Sequence, residues 1–220
     1  MKKVEIRWHS RAGQGAITAS EALIQSIGTE RHTQSFPEFG AEKRGAPVVV
    51  FTRISDDPLE AFYKVIKPNY VILFDMTLLN KGELLLEDVI EGLDESGTLI
   101  INAKEDFDLD FKGNVYRIDA TGISMQEIGK NIPNVPMVAA LLAISGIREK
   151  GQFAEYLKKA LKSLPEKVLE GNLRAFDRAY NEIFKIRGHK QKKMQKTTHQ
   201  SIQVGKICLL VQGFQLLVIL

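Results

Sequence analysis

Apolar residues along this chain alternate between strand-like and helix-like patterns. Two runs of strand length, Tyr70–Phe74 and Thr98–Asn102, are apolar in their interiors, which is typical of central strands covered on both faces. Between them, Leu78–Leu93 carries apolar residues at a spacing of four, which predicts an amphipathic helix. The alternation predicts a single three-layer α/β/α domain with a mostly parallel or mixed sheet. The same patterns predict strands Lys3–Trp8, Arg31–Ser35, Val48–Ile54 and Val115–Ile118, and a helix Gln14–Ile27.

Two Ser-x-x-Glu steps predict helix starts in the second half of the chain. Ser124 and Glu127 have the spacing of a capping box, and Ser163 and Glu166 repeat it with Pro165 in the first turn. The second step therefore predicts a long C-terminal helix. Its expected apolar stripe comprises Leu169, Leu173, Phe176, Tyr180 and Ile183.

The positive charge of the chain belongs to its end. The net charge is +3, but six of the 30 Lys and Arg lie from Arg187 onward, where there is no Asp or Glu. Residues 1–186 therefore carry 24 basic against 27 acidic side chains, which argues against nucleic acid as a partner. The periodic pattern also stops near Ile186, so residues 1–186 are predicted to form the domain. Residues 187–220 are predicted to be an atypical basic, then apolar tail outside the fold.

Composition limits the chemistry that this chain can perform. Cys208 is the single cysteine, so an iron–sulfur cluster or a thiolate zinc site would need more ligands than the chain has. The four histidines lack metal-ligand spacing and no nucleophile elbow is present, so we assign neither metal-binding nor catalytic residues. The apolar end Ile207–Leu220 is shorter than the ~20 residues of a spanning helix, and the start lacks an apolar signal segment. We therefore expect no membrane association and a cytoplasmic setting.

The first glycine-bearing loop, Arg11–Gly15, lies between the first predicted strand and helix. Gly13 and Gly15 occupy a helix start, where unpaired N–H groups can bind an anion. The loop lacks the Lys-Ser/Thr of a P-loop and the third glycine of a dinucleotide-binding fingerprint. A tight turn that needs glycine only for its geometry is the alternative interpretation.

The second segment, Phe36–Pro47, sets Lys43 and Arg44 between two glycines. We expect Phe36 and Phe39 to anchor a loop that presents both cations at fixed positions. Lysine and arginine form charge-assisted hydrogen bonds with phosphate, so this pattern favours an anionic ligand. An ion-paired interface or an ordinary surface loop remains the alternative.

Both loops resemble those of the gamma subunits of 2-oxoacid:ferredoxin oxidoreductases, above all the pyruvate and ketoisovalerate enzymes. The resemblance covers about residues 3–184 in the order of the family. The family usually has glycines where this chain has Ser10 and Ala12. The matching motifs are His9–Gly15, Phe36–Val48, Phe51–Ser55, Asn131–Met137 and Glu170–Asp177.

The resemblance implies a subunit of a complex that oxidatively decarboxylates a 2-oxoacid, joins the acyl group to coenzyme A and passes electrons to ferredoxin. Thiamine diphosphate, magnesium and 4Fe-4S clusters are then expected on partner alpha, beta and ferredoxin-like delta subunits. This chain would bind no cofactor alone and would have no activity alone.

The resemblance also assigns site residues for coenzyme A, a substrate at a shared site. By motif position, Lys43 and Arg44 match residues that meet its phosphates, and Asn134 matches an asparagine near the same ligand. Arg11, Gly13 and Gly15 would form a neighbouring wall. Residues 194–207 of the tail weakly resemble the start of a delta subunit, but without its cluster cysteines.

Two alternatives follow from the same residues. The chain could be a scaffold subunit in which Lys43 and Arg44 form ion pairs with partner subunits. It could also be an independent nucleotide-binding module, although the incomplete fingerprint of the Arg11–Gly15 loop argues against that role.

Overall fold

Six strands form one mixed sheet in the computed structural model, which describes residues 3–38, 45–60, 62–80, 84–105, 107 and 109–183. The spatial order is β2-β3-β1-β4-β5-β6. Strand β3 is antiparallel to both of its neighbours, whereas β1, β4, β5 and β6 run parallel. The strands are β1 (Lys3–Arg11), β2 (His32–Glu38), β3 (Pro47–Ser55), β4 (Tyr70–Leu73), β5 (Thr98–Asn102) and β6 (Asn114–Ile118).

Helices cover both faces of this sheet. One face carries α1 and α5, which pack on each other and on the strands, and α6 packs against both helices. The other face carries the short helices α2 and α3. The predicted three-layer α/β/α fold with a mixed sheet is therefore confirmed. The helices are α1 (Ala16–Ile27), α2 (Thr77–Asn80), α3 (Leu86–Ile90), α4 (Ala120–Glu127), α5 (Asn134–Ser145), α6 (Lys150–Ala160) and α7 (166–183).

The two continuous apolar runs become the central strands β4 and β5, as predicted. Val71 and Leu73 belong to the core under α2 and α3. Ile72 and Ile100 point to the opposite face and are also fully buried, because successive side chains alternate across a strand. Burial on both faces explains why these strands lack the apolar–polar alternation of a half-exposed strand.

The predicted continuous helix over Leu78–Leu93 is wrong. The structure has α2 and α3 instead, with residues 81–83 outside the described ranges. Leu84 N donates to Leu78 O at 3.1 Å, and the Asp88 carboxylate accepts a hydrogen bond from Leu85 N at 3.3 Å as the second helix begins. The apolar spacing nevertheless places Leu78, Leu84, Val89 and Leu93 in or against one core, whereas Leu85 is 61% exposed.

The first predicted capping box is also wrong. Helix α4 begins at Ala120, where the Asp119 carboxylate accepts a hydrogen bond from Gly122 N at 2.7 Å. Ser124 is buried inside the helix and donates to Thr121 O at 3.1 Å. Aspartate is as good an N-cap as serine, so the earlier residue sets the start.

The C-terminal helix α7 is confirmed over 166–183, although no side-chain cap from Ser163 is seen. Its Phe176 stacks on Phe153 of α6 with ring centroids 5.1 Å apart. Phe176 and Ile183 are buried, while the other members of the predicted stripe are half-buried.

Sequence patterns missed α5 altogether. Nine of its twelve residues are buried, so the helix is apolar all round and has no stripe to detect. The helix ends at a C-terminal glycine cap, because Gly146 adopts φ 64° and its N–H donates to Leu142 O.

Strands β1 and β2 extend further than the patterns predicted. Strand β1 continues to Arg11, and β2 continues to Glu38, so Phe36 lies in a strand and not in a loop. The reason is pairing and packing: Phe36 lies opposite Phe51, and its ring contacts those of Phe51 and Phe62 at centroid distances of 5.6 Å.

The described residues belong to a unit that extends over Met1–Phe184. The predicted tail 187–220 and Phe39 lie outside the described residues, so the boundary near Ile186 stays a prediction. In the part of the chain that the structure describes, no helix is long and apolar enough to cross a membrane.

A candidate anion site at the switch point of the sheet

The carboxyl ends of β1 and β4 define a crevice at one edge of the sheet. The two strands are parallel neighbours, and the chain leaves β1 for α1 on one face but leaves β4 for α2 on the other. The chain therefore diverges at this edge, which creates the topological switch point where open α/β sheets bind their ligands.

Arg11, the last residue of β1, is held at this edge by a hydrogen-bond network. Its Nε donates to Asp75 Oδ2 at 3.1 Å and its Nη2 to Thr77 Oγ1 at 3.0 Å. Gln14 joins both ends of the network, since its Nε2 donates to Asp75 Oδ2 at 2.7 Å and its Oε1 accepts from Arg11 N at 2.8 Å. The network links the loop after β1 to the loop after β4.

The pKa of Asp75 is lowered although the carboxylate is partly buried. Burial alone would raise it, but hydrogen bonds from the Thr77 side chain and backbone and from Gln14, together with the Arg11 charge, outweigh burial. The carboxylate therefore stays ionised and offsets much of the charge of Arg11, which makes this arginine a positioning group more than a free cation.

Glycine is required at two places in the loop. Gly13 and Gly15 have φ values of 94° and 85°, a region that other residues rarely adopt. At Gly15 a Cβ would also lie 3.1 Å from Asn134 Cβ. The loop after β1 therefore contacts the first residue of α5, and two of the predicted site residues meet.

Two helix N-termini lie side by side at this contact. Helix α1 begins after Gly15 and α5 begins at Asn134; neither has a side-chain cap or an acidic residue in its first turn. In α5 the Val135 N–H is bonded to the Asn134 side chain and Pro136 has no N–H, so the free N–H groups that give this edge a positive potential come mainly from the first turn of α1. Such a surface favours an anion without using Arg11.

The second predicted segment joins the same edge. Ala12 N donates to Ala46 O at 2.9 Å, and Arg11 Nη1 donates to Gly45 O at 3.1 Å. Gly45 directly follows Arg44 in the chain. Lys43 and Arg44 themselves lie outside the described residues, so their roles stay predictions.

Four of the six predicted site residues therefore surround one crevice: Arg11, Gly13, Gly15 and Asn134. Sequence analysis missed Gln14, Asp75 and Thr77. A signal for Asp75 was present, because it follows the buried strand Tyr70–Leu73 almost directly, where ligand-binding loops of α/β sheets begin.

Ser10 and Ala12 stand where the family usually has glycines, and neither adopts a backbone conformation that requires glycine. Ser10 pairs with Val48 inside the sheet, and Ala12 makes the backbone bond to Ala46. Among the described residues, only glycines have positive φ values. Neither Ser10 nor Ala12 therefore needs to be glycine here.

His9 lies away from the crevice, in the sheet interior. It is 4% exposed, and neither ring nitrogen has a hydrogen-bond partner within the described ranges. Burial, with a smaller contribution from the Arg7 charge, lowers its pKa to about 3 against a weaker opposing effect of the Val89 backbone. His9 is therefore a neutral core residue, consistent with its having no assigned role.

A cavity of about 210 Å³ lies between α1, α5, α6 and α7, next to Asn134. Its floor is apolar, and its rim carries polar groups. The floor includes Ala19, Val138, Phe153 and Leu157, and the rim includes Thr18, Glu21, Gln25, Asn134, Tyr156 and Asn172.

No group of three or more potential metal ligands occurs within the described ranges. Together, the fold and the crevice define a three-layer α/β domain with a candidate ligand site at the switch point of its sheet.

The sequence matches the family described as pyruvate ferredoxin/flavodoxin oxidoreductase over residues 5–182. The chain belongs to this family, which confirms the resemblance seen in its motifs. Relatives include the pyruvate synthase subunit PorC of Thermotoga maritima, 39% identical over 83% of this chain and 95% of the relative. The pyruvate/ketoisovalerate oxidoreductases common subunit gamma of Thermococcus kodakarensis is 35% identical over 81% and 96%.

Solved structures agree with this assignment. The crystal structure of the Thermotoga maritima subunit has a TM-score of 0.71, with 37% identity over 82% of this chain and 97% of that chain. A 2-oxoglutarate:ferredoxin oxidoreductase from Magnetococcus marinus, solved with 2-oxoglutarate, coenzyme A and succinyl-CoA bound, has a TM-score of 0.68. It is 20% identical and covers 84% of this chain but 31% of its own, so it supports the fold alone.

Proposed function

We propose that this chain is a gamma-type subunit of a 2-oxoacid:ferredoxin oxidoreductase complex and helps to bind coenzyme A. The complex would release carbon dioxide from the 2-oxoacid, transfer the acyl group to the coenzyme A thiol and pass the electrons to ferredoxin. The relatives with more than 30% identity over most of the chain are subunits of enzymes of this kind.

The observation that carries the proposal is the contact between the Arg11–Gly15 loop and Asn134. These residues, far apart in sequence, were assigned to one ligand and meet at a crevice beside the N-terminus of α1, whose first N–H groups have no side-chain cap. The phosphates of coenzyme A are suitable anions for such N–H groups. Lys43 and Arg44, which precede Gly45, would add charge-assisted hydrogen bonds.

The same proposal distributes the chemistry over several chains. Thiamine diphosphate, magnesium and 4Fe-4S clusters would belong to the alpha, beta and delta subunits, and the complex would be cytoplasmic. This chain would supply binding and orientation of the acyl acceptor, and no group that reacts with the 2-oxoacid. Its contribution should therefore appear in the coenzyme A step.

The kinetic test uses the assembled complex with Lys43 and Arg44 both replaced by alanine. We expect the KM for coenzyme A to rise strongly, while decarboxylation to the enzyme-bound thiamine intermediate continues. Lys43→Arg keeps the charge and should have a smaller effect. A matched control replaces the adjacent, exposed Lys158 and Lys159 of α6 by alanine. An unchanged KM in a normally assembled double variant would reject the coenzyme A role.

A scaffold role is the second candidate, and one surface favours it. Phe62, Tyr63 and Ile66 are 74%, 51% and 67% exposed, although aromatic and large aliphatic side chains are usually buried. Phe62 packs on Phe36, and Tyr63 lies 4.0 Å from the Arg53 guanidinium, so the segment is fixed in place. If Phe62→Ser with Tyr63→Ser prevents assembly while the Lys43/Arg44 variant binds coenzyme A normally, the scaffold role replaces the ligand role.

A further inference from the structure

We propose that Asp75 is a positioning residue of the coenzyme A site and acts through Arg11 on the segment that carries Lys43 and Arg44. This inference rests on the function proposed above and adds a residue that no motif of the sequence assigns. Asp75 lies in the loop after β4, between Phe74 and α2. It holds neighbouring groups in place and does not itself contact the ligand.

Both carboxylate oxygens of Asp75 accept hydrogen bonds. Oδ2 accepts from Arg11 Nε at 3.1 Å and from Gln14 Nε2 at 2.7 Å, and Oδ1 accepts from Thr77 N at 2.8 Å. Arg11 and Gln14 belong to the loop after β1, whereas Thr77 follows β4. One carboxylate therefore fixes the two loops relative to each other.

Arg11 extends this arrangement to a third part of the chain. Its Nη1 donates to Gly45 O at 3.1 Å, and Gly45 directly follows Arg44. A guanidinium is planar and rigid, so holding its Nε on Asp75 also fixes the direction in which Nη1 points. The carboxylate of Asp75 thus determines, through Arg11, where the end of the Phe36–Pro47 segment is held.

The loop that carries Asp75 is itself held by buried groups. Phe74 N donates to His9 O at 2.8 Å, and Phe74 O accepts from Asn102 Nδ2 at 2.9 Å. Asn102 is buried at the end of β5, and its Oδ1 accepts from Thr121 N at 3.2 Å. The position of Asp75 is therefore set by the ends of neighbouring strands, and a group on a rigid element can hold a ligand-binding loop accurately.

An ionised carboxylate is needed for this role. The lowered pKa of Asp75 keeps it ionised at neutral pH, so its bond from Arg11 is charge-assisted. In Asp75→Asn, one of the two acceptor oxygens becomes an NH2 group, which can only donate. Either the Thr77 N–H or the pair of donors from Arg11 and Gln14 then loses its acceptor, although the side chain keeps its size.

The test compares two aspartate-to-asparagine changes in the reconstituted complex. Asp94 is the matched control, because its Oδ1 accepts from Ser96 N at 2.8 Å, Ser96 Oγ at 2.6 Å and Gly97 N at 3.0 Å, and its pKa is also lowered. It precedes β5 and therefore lies at the opposite edge of the sheet. Thr77→Val is a milder second variant, since it removes the hydroxyl that accepts from Arg11 Nη2 and keeps the carboxylate.

Asp75→Asn should raise the KM for coenzyme A about tenfold, the scale of one lost charge-assisted hydrogen bond. The KM for the 2-oxoacid, and the reduction of a viologen dye by the 2-oxoacid in the absence of coenzyme A, should match the wild type. Thr77→Val should raise the KM for coenzyme A about threefold, because it removes an uncharged acceptor. Asp94→Asn should leave all of these values unchanged.

Amide hydrogen exchange gives a readout that does not depend on coenzyme A. Ala12 N donates to Ala46 O at 2.9 Å, so its exchange rate reports whether the loop after β1 stays joined to the end of the Phe36–Pro47 segment. In the complex without coenzyme A, mass spectrometry of overlapping peptides should show faster exchange of Ala12 in Asp75→Asn and in Thr77→Val. Asp94→Asn should exchange as the wild type does.

Three results would overturn the proposal: the same KM for coenzyme A in Asp75→Asn and Asp94→Asn, an equal rise in the KM for the 2-oxoacid, or unchanged exchange of Ala12 in Asp75→Asn. The Lys43/Arg44 double variant separates these failures from failure of the underlying function. If it raises the KM for coenzyme A while Asp75→Asn does not, coenzyme A binding stands and the positioning role fails. If neither variant raises that KM, the coenzyme A role itself fails.

Discussion

Arg11 and His9 lie two residues apart on the same face of β1, yet their surroundings differ. Arg11, at the end of the strand, contacts Asp75, Thr77 and the Gly45 carbonyl. His9, inside the strand, has no hydrogen-bond partner for its ring among the described residues. The end of the strand therefore holds polar groups in a fixed arrangement that a ligand can use, whereas its interior holds polar groups at a cost in stability.

Inside the sheet, Arg53 of β3 lies opposite Glu5 of β1 and is ion-paired with it, although its Nη1 has no hydrogen-bond partner among the described residues. Arg53 is 1% exposed, donates to Glu5 Oε1 at 2.8 Å and to Lys64 O at 2.9 Å, and lies 4.0 Å from the Tyr63 ring. Of the substitutions that distinguish the two regions, replacement of Arg53 is expected to lower the free energy of unfolding most.

Replacing Arg53 by methionine should lower the free energy of unfolding by about 3 kcal/mol, because it leaves Glu5 half-buried with Lys3 as its remaining partner within the described ranges. Chemical denaturation of the purified chain measures this. Arg174→Met, which breaks exposed ion pairs with Glu127 and Glu170, is the control and should cost less than about 1 kcal/mol. Equal losses would show that burial of the pair is unimportant.

The second prediction concerns His9 and pH. Its folded-state pKa is about 3 and its ordinary value is 6.5, so below pH 6.5 the unfolded chain takes up a proton that the folded chain does not. Stability should therefore fall as the pH is lowered from 6.5 towards 3. Between pH 7 and pH 5 this residue alone should remove about 2 kcal/mol.

His9→Leu should remove that part of the pH dependence, as measured by denaturation at a series of pH values. His32 on β2 is exposed, and His32→Gln serves as the surface control in the same measurement. If His9→Leu and the wild type lose equal stability between pH 7 and pH 5, the buried neutral histidine is not the cause.

At the strand end, Gly15→Ala and Gly13→Ala form a matched pair. Both residues have positive φ, so each alanine should cost about 1–2 kcal/mol of stability. Only at Gly15 does the new Cβ meet Asn134, at 3.1 Å, whereas Gly13 has nothing within 4 Å. Gly15→Ala should therefore be the more destabilising change and the one that weakens coenzyme A binding. Equal effects on coenzyme A affinity would remove Asn134 from the site.

The smallest effect is expected for Asp75→Asn. The change removes a carboxylate that accepts from Arg11, Gln14 and Thr77, and should cost about 1 kcal/mol because the group is partly solvated. Since the folded-state pKa of Asp75 is lowered, its contribution is fully present above the ordinary value of 3.8 and is lost as the pH falls through the lower folded-state value.

The free energy of unfolding of Asp75→Asn should accordingly converge with that of the wild type in acid. A constant difference down to the lowest pH at which the chain folds would mean that the carboxylate charge is irrelevant there.

Some elements of this fold could be predicted from the sequence because short stretches of residues determine them. Strands β4 and β5 follow from unbroken apolar runs, and the positive φ values follow from glycines at a helix start. Helix α5 gave no periodic signal because it is buried on all sides. The break between α2 and α3 was hidden because both helices contribute to one core, so the apolar spacing continues across it.

The site was predictable in its residue types and not in its contacts. Motifs assigned the Arg11–Gly15 loop and Asn134 to one ligand, but the contact between Gly15 and Asn134 depends on how α1 and α5 pack. Asp75 was missed because a lone aspartate after a strand is common in sequences, and its significance appears only when Arg11 and Gln14 are seen to contact it.

The most direct test of the central claim is calorimetric titration of coenzyme A into the assembled complex. Replacing Lys43 and Arg44 together by alanine should weaken binding by about 2–5 kcal/mol, because two charge-assisted phosphate contacts would be lost. A double variant that assembles normally and binds coenzyme A with the affinity of the wild type would contradict the account.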